Sequence, residues 1–272
     1  MSEETVKVSV VMPVYNAEEY VEECITSVLD QSLQNFEFVI VDDCSSDGTW
    51  SIIQEYEEND TRIKAFRNEE NLGVVKTRNR AFSKVCGSSE YVAIMDSDDV
   101  CLSERLEKQV LFLERHEDHG VVGGNTVIIN EEGERIGHRE YPRTNEEVQR
   151  ELIFRSPFAQ PAVMLRRSIL RRVGEYNEEY ERAQDYELWF RVLSISKGAN
   201  LQEDVLKYRV SESQGKSTAL KETLRNTLKI QRRYLLKERY FSVRAGLYHV
   251  LHYPLFLVPS RIIKYVFMKI RY

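Results

Sequence analysis

Three carboxylates, Asp96, Asp98 and Asp99, stand within four residues at the end of the apolar run Tyr91-Val-Ala-Ile-Met95. Like charges this close repel, and a cation or a set of hydrogen-bond donors holds them together. Oxygen donors at this density suit Mg2+ or Mn2+. The same residues also suit a solvated acidic turn capping the next helix, where Asp is favoured. A second segment tips the balance toward chemistry. Phe36-Glu-Phe-Val-Ile-Val41 ends at Asp42 and Asp43 and continues into Cys44-Ser-Ser-Asp-Gly48-Thr49. Two apolar runs that both end in acids place carboxylates at one edge of a sheet, as a phosphorylated or polyhydroxylated ligand with a metal requires.

The surrounding pattern predicts the elements that position these groups. Short apolar runs bounded by turn residues read as buried parallel strands. Residues 6 to 12 predict the first, closed by Pro13-Val-Tyr15-Asn16. Asn16 with Glu19 predicts an N-cap, and Tyr20, Val21, Cys24, Ile25, Val28 and Leu29 share one face of the helix that follows. The strand over 36 to 43, a helix carrying Trp50, Ile53 and Tyr56, and a strand over 63 to 66 repeat the unit. Such repetition predicts a parallel, right-handed, doubly wound α/β sheet with helices on both faces. Asn71-Leu-Gly73 opens the next helix, on which Arg78 either reaches a phosphate, pairs with an acid of the crevice, or lies exposed. After the Asp96 strand comes a helix with Leu106, Val110 and Leu113.

From residue 121 the pattern changes, because a long β-rich stretch ends in the turn 130 to 133 and predicts a mixed part of the sheet. Residues 157 to 165 predict a loop entering a strand, and Ser168 predicts the cap of a short helix that Gly174 ends. Leu188, Trp189 and Val192 form a helical face that sets Asp185 in the first turn. An acid is common there, and a general base for a hydroxyl is also kept ionised there. Both readings of Asp185 stay open. Residues 205 to 209 predict a last strand and 211 to 217 a polar loop, with a long basic helix to about Tyr240.

The chain has 272 residues, 42% of them hydrophobic and 30% charged, enough for one large domain with an appendage. Its net charge of -6 is uneven. From Lys216 onward there are 13 Lys and Arg against 2 Asp and Glu, an excess of 11 positive charges that leaves -17 on the rest. We therefore divide the chain into a domain over 1–215 and a helical, basic and apolar extension over 216–272. The extension mixes Tyr248, Tyr253 and Phe256 with Arg261, Lys264, Lys269 and Arg271, as in a segment lying in the interface of an anionic membrane. Packing on the body or in a homodimer is the competing reading. Nucleic acid is not expected as a partner, since the aromatic and apolar content suits lipid better. Cys24, Cys44, Cys86 and Cys101 show no paired spacing for zinc or a disulfide framework, which fits reduced thiols. With no signal-like leader and no apolar run of about 18 residues, the expectation is a cytoplasmic protein, peripheral on the inner face of the cell membrane.

In five ordered stretches the chain resembles the family two inverting glycosyltransferases of GT-A fold. They are Val10-Val-Met-Pro-Val-Tyr-Asn16, Ile40-Val-Asp-Asp-Cys-Ser-Ser-Asp-Gly-Thr49, Asn71-Leu-Gly73 with Arg78-Asn79, Met95-Asp-Ser-Asp-Asp99, and Gln184-Asp185 with Leu188-Trp189. The resemblance covers roughly residues 6 to 215 and implies transfer of a sugar from a nucleotide-diphosphate sugar to a glycan or lipid-linked acceptor, with inversion. It implies that Pro13, Tyr15 and Asp43 line the base, with Arg78 and Asp96 also on the nucleotide. Asp98, with Asp99 as the alternative, would hold a divalent Mn2+ or Mg2+, and Asp185 matches the catalytic base. One departure is Ser211, where many relatives carry a histidine near the metal. A nucleotide-sugar binder without activity, or another nucleotide-dependent transferase on a related fold, remains the alternative. No G-x-G-x-x-G follows the first strand and no G-x-x-x-x-G-K-[ST] occurs, which disfavours dinucleotide and P-loop chemistry.

Overall fold

The computed structural model describes residues 6–210, 217–237, 240, 242–252, 254 and 258. The first half alternates strands and helices: β1 (Val8–Val14), α1 (Val21–Leu29), β2 (Phe36–Asp42), α2 (Thr49–Asn59), β3 (Ile63–Arg67), α3 (Val74–Ser83) and β4 (Tyr91–Ile94). Strand β1 lies between β2 and β4, and β2 pairs with β3, all in parallel. Every residue of β1, β2 and β4 is buried, as expected of strands covered on both faces.

The second half changes direction. The short β5 (Val100–Cys101) precedes α4 (Arg105–Arg115), β6 (His119–Ile129), β7 (Arg135–Arg139), α5 (Asn145–Leu152), β8 (Met164–Arg166), α6 (Arg167–Val173), α7 (Gln184–Ile195) and β9 (Lys197–Arg209). Strand β8 is the seam, antiparallel to β4 on one side and to β6 on the other. The expected mixed part of the sheet is present, and the order across the sheet is β3-β2-β1-β4-β8-β6-β9-β5, with β7 on β6. The last strand is longer than the sequence suggested, because β9 starts at Lys197 and runs parallel to β6.

Alternate residues feed opposite faces. Val11, Val39, Val41 and Ile94 pack with Val75 and Phe82 of α3 and with Leu188, Trp189 and Phe190 of α7. Val10, Met12, Phe38 and Ile40 pack with Val21, Cys24 and Ile25 of α1, Ile53 of α2 and Leu106 and Val110 of α4. Arg105 is a buried exception in this second layer. Its guanidinium donates to the carbonyls of Ile94 at 2.8 Å and Val163 at 3.2 Å, fixing the end of β4 just before the acids.

Two helix starts differ from expectation. Helix α1 begins at Val21 without a side-chain cap, since the Asn16 amide is turned toward the following strand's loop. Helix α6 begins at Arg167 with no cap from Ser168, while Gly174 ends it at φ 80° as expected. Helix α8 (Ser217–Leu235) packs on α7, where Tyr234 stacks on Phe190 with ring centroids 4.2 Å apart. Helix α9 (Val243–Leu251) follows. Residues 211–216, including Ser211, and the basic residues after 258 lie outside the described part. Among the described residues no helix is long and apolar enough to cross a membrane.

Candidate active site

The carboxyl ends of β1, β2 and β4 open into one crevice, as the parallel half of such a sheet requires. The crevice encloses about 520 Å3 and is lined by Pro13, Tyr15, Tyr20, Asp43, Asn71, Gly73, Thr77, Arg78, Asp96 and Asp98, among others. Six of the eight residues singled out from sequence therefore meet in one cavity: Pro13, Tyr15, Asp43, Arg78, Asp96 and Asp98.

Its rim is built from loops that latch onto one another. Asn16 adopts φ 46°, accepts from the Ser46 amide at 2.9 Å and donates its own amide to Ser45 Oγ at 2.9 Å. Glu18 accepts from the Gly48 amide at 2.9 Å, and a Cβ on Gly48 would lie 2.5 Å from that carboxylate, so a larger residue there displaces the exposed Glu18 side chain from this contact. Asp42 is wholly buried and holds this turn from below, accepting from the Ser45 amide and the Ser45 hydroxyl and pairing with Arg67 Nε at 3.1 Å. Tyr15 is half exposed above it, an aromatic face available for stacking.

Asp43 has a second role besides lining the cavity. Its Oδ1 accepts from Asn68 Nδ2 at 2.6 Å and the Leu72 amide at 2.8 Å, and its Oδ2 accepts from the Gly73 amide at 2.9 Å. One carboxylate thereby ties the end of β2 to the start of α3. Gly73 makes this possible at φ 85°, a conformation other residues adopt at a cost.

Arg78 is buried, and its Nη2 lies 2.5 Å from Asp96 Oδ1. Burial alone would pull the guanidinium down, but Asp96, Tyr176 and Asp185 outweigh it and hold the group above its ordinary value. Its Nε is buried without a hydrogen-bond partner, an unsatisfied donor at the cavity wall. Tyr176 lies under the guanidinium, 5.9 Å from the ring centroid. The phenol is pushed above its usual range by burial, and the carboxylates of Asp185 and Asp96 push it the same way. Asp185 stands half-buried in the first turn of α7, after Ala183 at φ 59°. It does not line the crevice, yet its charge reaches Arg78, which does, and Tyr176 beneath that guanidinium.

The three acids after β4 diverge. Asp96 pairs with Arg78, and Asp98 lines the crevice. Asp99 is turned inward, with Oδ1 accepting from the Arg209 amide at 2.8 Å and Oδ2 buried without a partner. Burial, with the charges of Asp98 and Asp96, raises its carboxyl well above the carboxylate range. Asp99 thus anchors the acidic turn to β9, and it does not line the crevice.

Among the described residues no three Asp, Glu, His or Cys side chains converge to hold an ion unaided. That donor set fits a hard cation bound by one or two carboxylates and completed by phosphate oxygens and water, the usual habit of Mg2+. Asp98, with Asp96 beside it, would be its holder.

Several residues were missed in sequence. Arg209 donates through Nε to the Asp98 carbonyl at 2.8 Å, through Nη1 to the carbonyls of Asn130 and Glu131, and through Nη2 to Glu23 at 2.6 Å. Its guanidinium also lies over Tyr20, 4.7 Å from the ring centroid. Thr77 was legible in principle, one helical turn after Gly73, whose carbonyl its hydroxyl meets at 3.0 Å.

Comparison with known proteins agrees with this geometry. The family model described as glycosyl transferase family 2 matches residues 9–174. The putative glycosyltransferase EpsE of Bacillus subtilis is 37% identical over 207 residues, covering 75% of this chain and 73% of that protein. The Escherichia coli enzyme WfgD, named a UDP-Glc:alpha-D-GlcNAc-diphosphoundecaprenol beta-1,3-glucosyltransferase, is 30% identical over 80% of this chain and 83% of its own. Among solved structures, residues 1–349 of Staphylococcus aureus TarS superpose with a TM-score of 0.63 at 24% identity, over 86% of this chain and 66% of that one, a likeness of fold. With the family model spanning more than half the chain and its motifs gathered on one crevice of a GT-A type sheet, this protein belongs to glycosyl transferase family 2.

Proposed function

We propose that the protein transfers a sugar from a UDP-sugar to a hydroxyl of a diphosphate-lipid-linked glycan, inverting the anomeric carbon. The observation that carries this reading is geometric: Pro13, Tyr15, Asp43, Arg78, Asp96 and Asp98 line one crevice, and Asp185, in the first turn of α7, acts on Arg78 in its wall. A donor and a base must share such a wall for in-line attack. The printed name of WfgD, with its UDP-glucose donor and diphosphoundecaprenol-linked acceptor, supports the choice of substrate class.

Tyr15 and Pro13 would flank the base, and Asp43 would accept from its ring N–H with the lone pairs its loop contacts leave free. Arg78, already desolvated, would offer its unpartnered Nε to a donor oxygen. A divalent cation at Asp98 would neutralise the charge that develops on the departing diphosphate. Asp185 would take the proton of the acceptor hydroxyl while its oxygen bonds the anomeric carbon and the bond to the diphosphate oxygen breaks. The helix N-terminus beneath Asp185 favours its ionised form before the transfer.

The test is an Asp185→Asn variant assayed with UDP-sugar, Mn2+ and a lipid-diphosphate acceptor, beside calorimetry of UDP. Transfer falls about 100- to 10,000-fold while UDP affinity and melting temperature stay near the parent's. Preserved transfer removes Asp185 from the mechanism. A parent that binds UDP-sugars but transfers to no acceptor is a binder and not an enzyme.

A further inference from the structure

We propose that the outer face of α9, with the cations at the end of α8, docks the protein on an anionic phospholipid membrane. Helix α9 has two apolar sides. On the inner one Ala245 and His249 are buried, and the Tyr248 ring meets Phe154 edge-on at 5.1 Å. On the outer one stand Val243, Leu247, Val250 and Leu251, exposed by 76%, 60%, 62% and 71%. Their spacing of i, i+4, i+7 and i+8 gathers them into one stripe. Leu236, exposed by 83%, stands just before the helix. Single exposed aliphatics are ordinary, whereas a contiguous stripe marks a surface that is covered.

Charge decides what covers it. Arg232 and Arg233 in the last turn of α8, Lys237 beside Leu236 and Arg244 on α9 itself are all exposed, and the chain from Lys216 carries only 2 acidic residues against 13 basic ones. A second copy would bring the same cations against themselves, because a twofold contact pairs a patch with its own image. Anionic headgroups complement them, and acyl chains take the leucines to the shallow depth of an interfacial helix. No described helix is able to cross the bilayer, so the contact lies along its surface.

The docking surface is coupled to the site. Helix α8 fixes itself to α7 through Tyr234 on Phe190, to the segment after α5 through Gln231 to the Phe154 carbonyl at 3.3 Å, and to the loop before α7 through Asn226 to the Arg182 carbonyl at 3.0 Å, three residues before Asp185. A docked α9 therefore holds the start of α7 at a set height above the lipid. This deepens the reading above and rests on it only for the acceptor, which is then met at the membrane surface.

The experiment is co-sedimentation of the full chain with phosphatidylcholine vesicles, with and without phosphatidylserine, at low and high salt. The parent pellets with phosphatidylserine vesicles and salt releases it. Leu247→Glu/Val250→Glu/Leu251→Glu abolishes pelleting at unchanged melting temperature. Arg232→Gln/Arg233→Gln lowers partitioning about thirtyfold, at about fivefold per cation, and carries the test if the first variant does not fold. UDP affinity stays at the parent's value in both variants, so a failure of docking is separable from a failure of the transfer reading. The proposal is overturned if the parent stays in the supernatant or if a folded variant pellets as the parent does. It is also overturned if the parent is a dimer that the triple variant splits.

Discussion

Asn79 and Tyr176 exchange two hydrogen bonds across 97 residues of sequence: Asn79 Nδ2 donates to the Tyr176 carbonyl at 3.0 Å, and the Tyr176 amide donates to Asn79 Oδ1 at 2.9 Å. Phe82, one helical turn on, stacks on the Tyr176 ring at 5.5 Å. Helix α3, whose start Asp43 holds, thus also holds the loop leading to Asp185. Asn79→Ala leaves both backbone groups of Tyr176 without these partners and lowers stability by about 1–3 kcal/mol. In the proposed reaction kcat falls while UDP affinity is kept, because the loop and not the donor crevice loosens. A variant that loses UDP affinity and keeps kcat contradicts this division.

Arg209 orders the acidic turn through its contacts to Asp98, Asp99 and Glu23. Arg209→Lys keeps the charge and the backbone bond to Asp99 but loses the planar fork. Metal-dependent tightening of UDP binding drops about 10- to 100-fold, as expected for a group that orients a ligand it does not replace. Titration of UDP with and without Mn2+ reads this directly, and an unaltered metal effect reduces Arg209 to packing.

The two acids facing the crevice separate by chemistry. Asp98→Ala abolishes the tightening of UDP binding by Mn2+ and leaves metal-free affinity intact. Asp96→Ala leaves the buried Arg78 without its nearest counter-charge, which costs about 3 kcal/mol of stability and weakens UDP binding even in chelator. Identical behaviour of the two variants in calorimetry and melting rejects this assignment.

His249 lies in the inner contact of α9, where burial, His252 and Arg232 all lower its pKa. A lowered value means that the folded chain binds this proton less readily than the unfolded chain. The contribution to stability is complete above about pH 6.5 and is lost as pH falls through the folded value. His119 shares the direction, with burial as the leading cause, so His249→Gln shortens the acid decline of the melting temperature without removing it. An unchanged decline in the variant excludes His249 as a contributor.

The strands β1 to β4 and their parallel winding were legible because β1, β2 and β4 are buried apolar runs that stop at polar turn residues and helical patterns separate the four. The gathering of Asp43, Asp96 and Asp98 followed from two apolar runs that end in acids at one sheet edge, whereas Pro13 and Tyr15 were placed there by the family resemblance and Arg78 reaches the crevice from α3. Pairing of Arg78 with an acid of the crevice was one of three readings, since an arginine on a helix is more often exposed. Asp99 could not be told from Asp98, because its orientation depends on an amide of β9 that lies 110 residues away. Arg209 was opaque for the same reason: its partners come from α1, the β4 turn and the β6–β7 turn, and no local pattern encodes such a meeting. The caps expected from Asn16 and Ser168 failed because Asn16 serves the turn after β2 and the start of α6 is set by the preceding strand.

The seam at β8 joins the two halves of the sheet through three registered pairs with β4, Tyr91 with Arg166, Val92 with Leu165 and Ala93 with Met164. Everything proposed to hold the nucleotide precedes that seam in the sequence, and the proposed base and the helices beside it follow. Inheritance can therefore act on the two blocks separately. A relative's block grafted from β8 onward, with Arg209 retained, would keep the donor and adopt a new acceptor, so a lineage could diversify its glycans by recombination at one strand junction.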